Sequence, residues 1–114
     1  MSDCLFCKIV ARTIPAVLVY EDELVVAFDD INPQAPTHSL VIPRKHFTSI
    51  AELQNADVML LGSLMLAANA VAKKKGIADT GYRFVVNTGV DGGQSVFHLH
   101  LHVLGGRHMG WPPG

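Results

Sequence analysis

Three histidines, His98, His100 and His102, occupy alternate positions between Ser95 and Leu104 and make up half of the six in the chain. Leu99 and Leu101 lie between them, with Phe97 and Val103 on either side. Strict alternation of this kind predicts a β-strand over residues 95–104, with the imidazoles on one face and Leu99, Leu101 and Val103 on the other. The apolar face can pack on a core, whereas the imidazole face must meet water, a metal or an anionic ligand. Near neutral pH an imidazole serves as base, acid, nucleophile or metal ligand. Directly upstream runs Val90-Asp91-Gly92-Gly93-Gln94-Ser95, a glycine-rich loop of the kind whose backbone N–H groups can cradle a phosphate. Loop and triad together point to chemistry at phosphorus. An exposed strand without a role and an all-metal-ligand set are the competing readings.

Other reactive residues are ambiguous taken singly. Cys4 and Cys7 form a Cys-x-x-Cys, half a zinc site, for which His46 and the triad offer histidines. Asp29 and Asp30 read as metal ligands or as a solvated strand end. His38 fits a strand end, Asn87 fits turn chemistry, and Lys73-Lys74-Lys75 before Gly76 fits a helix C-terminus.

His98-Leu99-His100-Leu101-His102-Val103-Leu104 resembles the signature of the histidine triad (HIT) superfamily. The resemblance extends over nearly the whole chain. Asp29-Asp30-Ile31-Asn32-Pro33-Gln34-Ala35-Pro36-Thr37-His38, Gly92-Gly93-Gln94-Ser95-Val96 and the closing Trp111-Pro112-Pro113-Gly114 are similar to motifs of its Hint branch.

That resemblance implies a purine nucleoside phosphoramidase. It would cleave the P–N bond of an AMP–amine or GMP–amine through a covalent nucleotidyl-histidine. His100 would be the nucleophile, His102 and the N–H groups near Gly93 would stabilise the phosphate oxygens, and Ser95 would donate to a phosphoryl or leaving-group oxygen. His98 would belong to the catalytic set and His38 would support the triad from behind. Asp30 would accept the ribose hydroxyls, as suits a pure acceptor facing two donors. Phe6, Ile9, Phe28 and Ile31 would surround the base, with Asn87, Gln94, Val96 and Trp111 as further nucleotide contacts. Zinc would be held by Cys4, Cys7, His46 and His98, a closed tetrahedral set and therefore structural; no organic cofactor is implied. The long helix and a neighbouring strand would build a two-fold homodimer, with the tail reaching the partner's site.

Rival readings remain. The Fhit branch implies dinucleoside polyphosphate hydrolysis, which the Trp-Pro-Pro-Gly ending disfavours. Nucleotidyl transfer is disfavoured by His at 102, where the transferase branch carries Gln. A nucleotide-binding regulatory module with little turnover is opposed only by the presence of His100. A zinc-dependent structural protein would leave His100, His102 and the loop without employment.

The elements that must position these groups can be read from periodicity. Phe6, Ile9 and Val10 suggest a short helix that ends before Ile14-Pro15. Val17–Tyr20 and Leu24–Phe28, joined by Glu21-Asp22-Glu23, suggest a hairpin. Pro33 and Pro36 set a rigid turn, after which residues 38–42 resume strand character. Val58, Leu61, Leu64, Met65, Ala68, Val71 and Ala72 recur at helical steps and predict one long helix over 57–75 with that stripe buried. Residues 82–87 predict another strand. The expected fold is α+β, an antiparallel sheet of about five strands with one long and one short helix.

At 114 residues, with 49% hydrophobic and 17% charged, the chain is expected to form one globular domain over 1–114. A net charge of −1 offers no footprint for nucleic acid or anionic membranes, so a phosphate must be held by local geometry. Met1-Ser2-Asp3-Cys4 lacks the features of a signal peptide, and the apolar window 58–72 is too short for a bilayer, which implies a cytoplasmic protein.

Overall fold

The computed structural model describes residues 3–114; Met1 and Ser2, the start of the N-terminal stretch read above, lie outside the described residues. The elements in order are α1 (Leu5–Val10), β1 (Leu18–Glu21), β2 (Val25–Asp29), β3 (Thr37–Pro43), α2 (Val58–Lys74), β4 (Tyr82–Val85) and β5 (Leu101–Gly105). Two single-turn 3-10 helices, Ile50–Glu52 and Asn55–Asp57, lead into α2. The strands form one antiparallel sheet in the order β1-β2-β3-β5-β4. This is the α+β architecture that the periodicity predicts.

Local chemistry accounts for the element ends. Asp22 turns the first hairpin by accepting the N–H groups of Leu24 and Val25, each at 2.9 Å. At the end of α2, Ile77 N–H donates to Ala72 O and Gly76 N–H to Lys73 O, both at 3.1 Å. Gly76 lies at φ +76°, so the helix stops in a Schellman arrangement that favours glycine.

The central strands are apolar on both faces because both are covered. Val25, Ala27 and Val41 join α2 residues Leu64, Ala67, Ala68, Val71 and Ala72 in one cluster. Val26, Phe28, Leu40 and Ile42 meet Phe6 and Ile9 of α1 in the other. The main cluster also takes Leu99, Leu101 and Val103, the expected packing face of the triad segment.

Three sequence expectations need correction. The triad strand covers only Leu101–Gly105. Before it, His98 O accepts from the His100 ring and Leu99 N–H donates to Phe47 O, so these groups are taken out of the ladder. β4 consequently ends at Val85, which pairs with His102, and does not extend to Asn87. Secondly, the three imidazoles do not share one face: His98 turns towards Cys4, Cys7 and His46, while His100 and His102 line a cleft on the other side; His98 and His100 are buried, with Phe6 against both rings. Thirdly, the helix stripe is buried only at Leu64, Ala68, Val71 and Ala72: Val58, Leu61 and Met65 are exposed, as are Met59 and Leu66. Periodicity fixes the direction of a stripe but not how far along the helix the sheet reaches. The helical run Asn55–Lys74 has the length and apolar composition of a membrane span, beyond the 58–72 window considered above. Its C-terminal half packs on the sheet.

Candidate active site and metal centre

Backbone groups fix the proton positions of the histidines, because a carbonyl can only accept and an N–H can only donate. His100 Nδ1 lies 2.8 Å from His98 O. Nδ1 therefore carries the proton, and Nε2 is left with its lone pair. Gln34 N–H donates to His38 Nδ1 at 3.0 Å, which puts the His38 proton on Nε2. That proton faces His102 Nδ1 at 2.8 Å and Asp30 Oδ2 at 3.4 Å. His102 then accepts at Nδ1, and in its neutral form must carry its proton on Nε2. His102 Nε2 is buried and has no partner among the described residues. A lone pair on His100 and an unused N–H on His102 thus stand beside one another, their rings 4.9 Å apart.

Burial keeps these rings neutral. It is the largest influence on His102, whose pKa is pushed down to about 4, with His100 and His38 adding to the effect and Asp30 opposing it. His38 and His100 are also lowered chiefly by burial, each opposed by Asp30 and, for His100, by the bond to His98 O.

His100 and His102 line a cleft of about 450 Å³, within the range of small-ligand sites. Of the residues singled out by sequence, Phe6, Ile9, Phe28, Asp30, Ile31, His38, Ser95, Val96, His100 and His102 line it. Phe6 and Phe28 meet edge to face at 5.4 Å and form its apolar wall, while Ile31 is 97% exposed at the mouth. Asp29 and Asp30 separate into different tasks. Asp29 takes Lys75 at 2.8 Å and Ser39 at 2.9 Å, so Lys75 does more than cap a helix. Asp30 accepts Asn32 N–H at one oxygen and presents the other towards His38.

Asn87, Gly93, Gln94 and Trp111 do not line the cleft. Gly93 N–H donates to Val90 O and Gln94 N–H to Gly89 O, both at 3.0 Å. The loop therefore spends the N–H groups of Gly93 and Gln94 on its own fold. Gln94, itself buried, staples that loop by donating to Thr48 O and Val96 O and accepting Gly89 N–H. The glycines serve the turn: Gly93 sits at φ +76°, and a Cβ on Gly92 would collide with Thr88 O. Trp111 is 83% exposed. Sequence reasoning missed Leu5, Ile14, Pro15 and Leu40 in the lining. It also missed Gln34 N–H and Pro43 O as the groups that set ring tautomers; backbone partners leave no trace in residue identity.

His98 faces away from the cleft. Its Nε2–H donates to Pro43 O at 2.9 Å, leaving a lone pair on Nδ1. That atom lies 3.3 Å from Cys4 Sγ, 3.6 Å from Cys7 Sγ and 3.1 Å from His46 Nδ1, and Cys7 Sγ lies 3.4 Å from His46 Nδ1. A tetrahedral zinc ion with ordinary bond lengths would give edges of roughly 3.3–3.7 Å. The four donors therefore fit a zinc-class ion, and Pro43 O supplies the outer hydrogen bond that orients a ligating imidazole. Asp30, His38 and His102 also cluster closely enough to hold a metal. The Gln34 bond opposes this, because it places a proton on His38 Nε2, the atom that would have to ligate.

The HIT domain family profile matches residues 11–109. The chain belongs to the HIT family. It is 53% identical over 113 residues to an uncharacterized HIT-like protein of Synechocystis, covering 99% of this chain and 98% of that one. It is 51% identical over 115 residues to the 14 kDa zinc-binding protein of Zea mays, covering 99% and 89%. Among solved structures, a HIT family hydrolase from Legionella pneumophila superposes with a TM-score of 0.95 at 50% identity, covering 98% of this chain and 100% of that one.

Proposed function

We propose that this HIT protein is a hydrolase of the Hint type that cleaves purine nucleoside phosphoramidates to a nucleoside monophosphate and an amine. One observation carries the reading: His100, with its Nε2 lone pair, and His102, with its partnerless Nε2–H, line the same cleft as Asp30. In this reading His100 Nε2 attacks phosphorus as the P–N bond to the amine breaks, and the amine leaves with a proton taken up from solvent, which the later hydrolysis returns. Water then cleaves the nucleotidyl-histidine and restores neutral His100. His102 donates to a phosphoryl oxygen as charge builds there. Ser95, exposed on the cleft, adds a donor near the phosphate or leaving group. The Asp30 carboxylate takes the ribose hydroxyls, and Phe6, Ile9, Phe28 and Ile31 enclose the purine. His98 acts from outside the cleft by positioning His100 through its carbonyl.

The similarity to a structure described as a HIT family hydrolase supports the reaction class. The similarity to a protein described as zinc-binding, together with the cluster geometry, supports zinc at Cys4, Cys7, His46 and His98. There the metal would cross-link the N-terminal segment and take no part in the displacement. The exposed apolar face of α2 supports a homodimer, in which Trp111 would approach the partner's cleft. The same reading holds residues 1–114 to be one domain and the protein to work in the cytoplasm.

The test is turnover of a fluorogenic adenosine phosphoramidate beside diadenosine tetraphosphate, with AMP binding followed in wild type and His100→Ala. The proposal expects fast phosphoramidate cleavage by wild type and AMP binding without cleavage by the variant. Preference for the dinucleotide would replace the substrate assignment; AMP binding without turnover in wild type would make the protein a nucleotide sensor.

A further inference from the structure

The Cys4–Cys7–His46–His98 cluster and the cleft are built from the same two pieces of chain. The first is α1, only six residues long and far below the length at which a helix holds itself in water. Cys4 caps it, accepting Cys7 N–H at 3.3 Å, and Cys4 and Cys7 face the cluster. Leu5, Phe6 and Ile9 from the same helix line the cleft. The second piece is His98. Its ring enters the cluster, while its carbonyl accepts the Nδ1–H that leaves His100 Nε2 unprotonated. Phe6 bridges the two, with its ring edge-on to His98 at 5.9 Å and to His100 at 5.1 Å.

We propose that metal binding at Cys4, Cys7, His46 and His98 and nucleotide binding in the cleft are positively coupled through α1 and His98. Besides the contacts of Cys4 and Cys7 with His46 and His98, α1 is held by the packing of Phe6 and Ile9 on Val26, Phe28, Leu40 and Ile42. Apolar contact favours burial but is not directional, so it leaves the helix some freedom to slide and turn. A tetrahedral ion tied to His46 and His98 removes that freedom and fixes the cleft wall before ligand arrives. A nucleotide then meets a site whose ordering cost has already been met. Linkage requires the converse: bound nucleotide must tighten metal binding by the same factor. The inference rests on the nucleotide reading above.

The experiment is calorimetric titration of AMP into zinc-loaded and chelator-treated protein. It is paired with zinc affinity from competition with a chromophoric chelator, with and without saturating AMP. The expected result is AMP binding about tenfold tighter in the zinc form, and zinc binding tighter by the same factor in the presence of AMP. Phe6→Leu, which keeps an apolar side chain on α1 but loses the ring contacts, should bind both ligands with the factor reduced towards one. If the chelated protein loses its fold by circular dichroism, the zinc competition decides alone. Equal AMP affinity in both forms, with zinc affinity indifferent to AMP, overturns the coupling and leaves the nucleotide reading intact. Failure of AMP to bind either form overturns both, and failure of zinc to bind overturns the coupling and the metal assignment.

Discussion

His38→Phe tests the chain of hydrogen bonds that sets the tautomer of His102. His38 is 6% exposed and joins Gln34 N–H at 3.0 Å to His102 Nδ1 at 2.8 Å. Phenylalanine is close in volume, so the cavity contribution is small, but it leaves a donor and an acceptor without partners. An unsatisfied buried polar group costs about 1–3 kcal/mol. Gln34 is an exposed residue, so its N–H can recover water, and the expected loss is that of the single unpaired His102 Nδ1, about 1–3 kcal/mol. In a chain of this length that lowers Tm by on the order of 5–15 °C. The kinetic effect should be the smaller one. Deleting a donor to developing charge costs about 10²–10³ in kcat. His38→Phe only releases His102 to share its proton between Nδ1 and Nε2, so a loss of roughly tenfold is expected. Urea denaturation and phosphoramidate kinetics on His38→Phe and His102→Phe measure both. Unchanged stability in His38→Phe would refute the hydrogen-bond chain. A kcat loss equal to that of His102→Phe would show that His38 takes part in the chemistry itself.

Acid should destabilise the protein over a defined window. His102 titrates near 4 when folded and near 6.5 when unfolded, so between these values the unfolded chain binds more protons and stability rises with pH. His38 is shifted in the same direction; the urea midpoint should fall from pH 7 to pH 5, and a flat profile would contradict the buried neutral rings. Gly92→Ala should destabilise by about 1–3 kcal/mol, because its Cβ would meet Thr88 O; differential scanning calorimetry reads this, and a wild-type Tm would show that the loop yields freely. Metal analysis should find one zinc per chain in wild type and none in Cys4→Ser/Cys7→Ser, with chelation lowering the Tm of wild type alone; zinc retained by the double variant would remove the cysteines from the site.

Much of the fold was legible because its signals are local. Asp22 and the Lys75-Gly76 stop end their elements through contacts within a few residues, and alternation sent Leu99, Leu101 and Val103 to the core. What failed depends on distant partners. The triad strand shortens because His98 O and Leu99 N–H are used by a side chain and by Phe47. The exposed half of α2 reflects the limited reach of the sheet. In the site, the reactive side chains announced themselves by type and spacing, but their tautomers depend on Gln34 N–H, His98 O and Pro43 O. The glycine-rich loop was hard to read for the opposite reason. Its composition suits a phosphate cradle, yet the same glycines close turns within the loop.

The central claim is that His100 Nε2 forms a bond to phosphorus. Its most direct test is rapid quenching of wild-type turnover on an adenosine phosphoramidate, followed by peptide mass spectrometry under alkaline conditions that preserve phosphohistidine. The account predicts an adenylyl group on His100 and none on His98 or His102. An adduct on another residue, or turnover by His100→Ala at the wild-type rate, would contradict it.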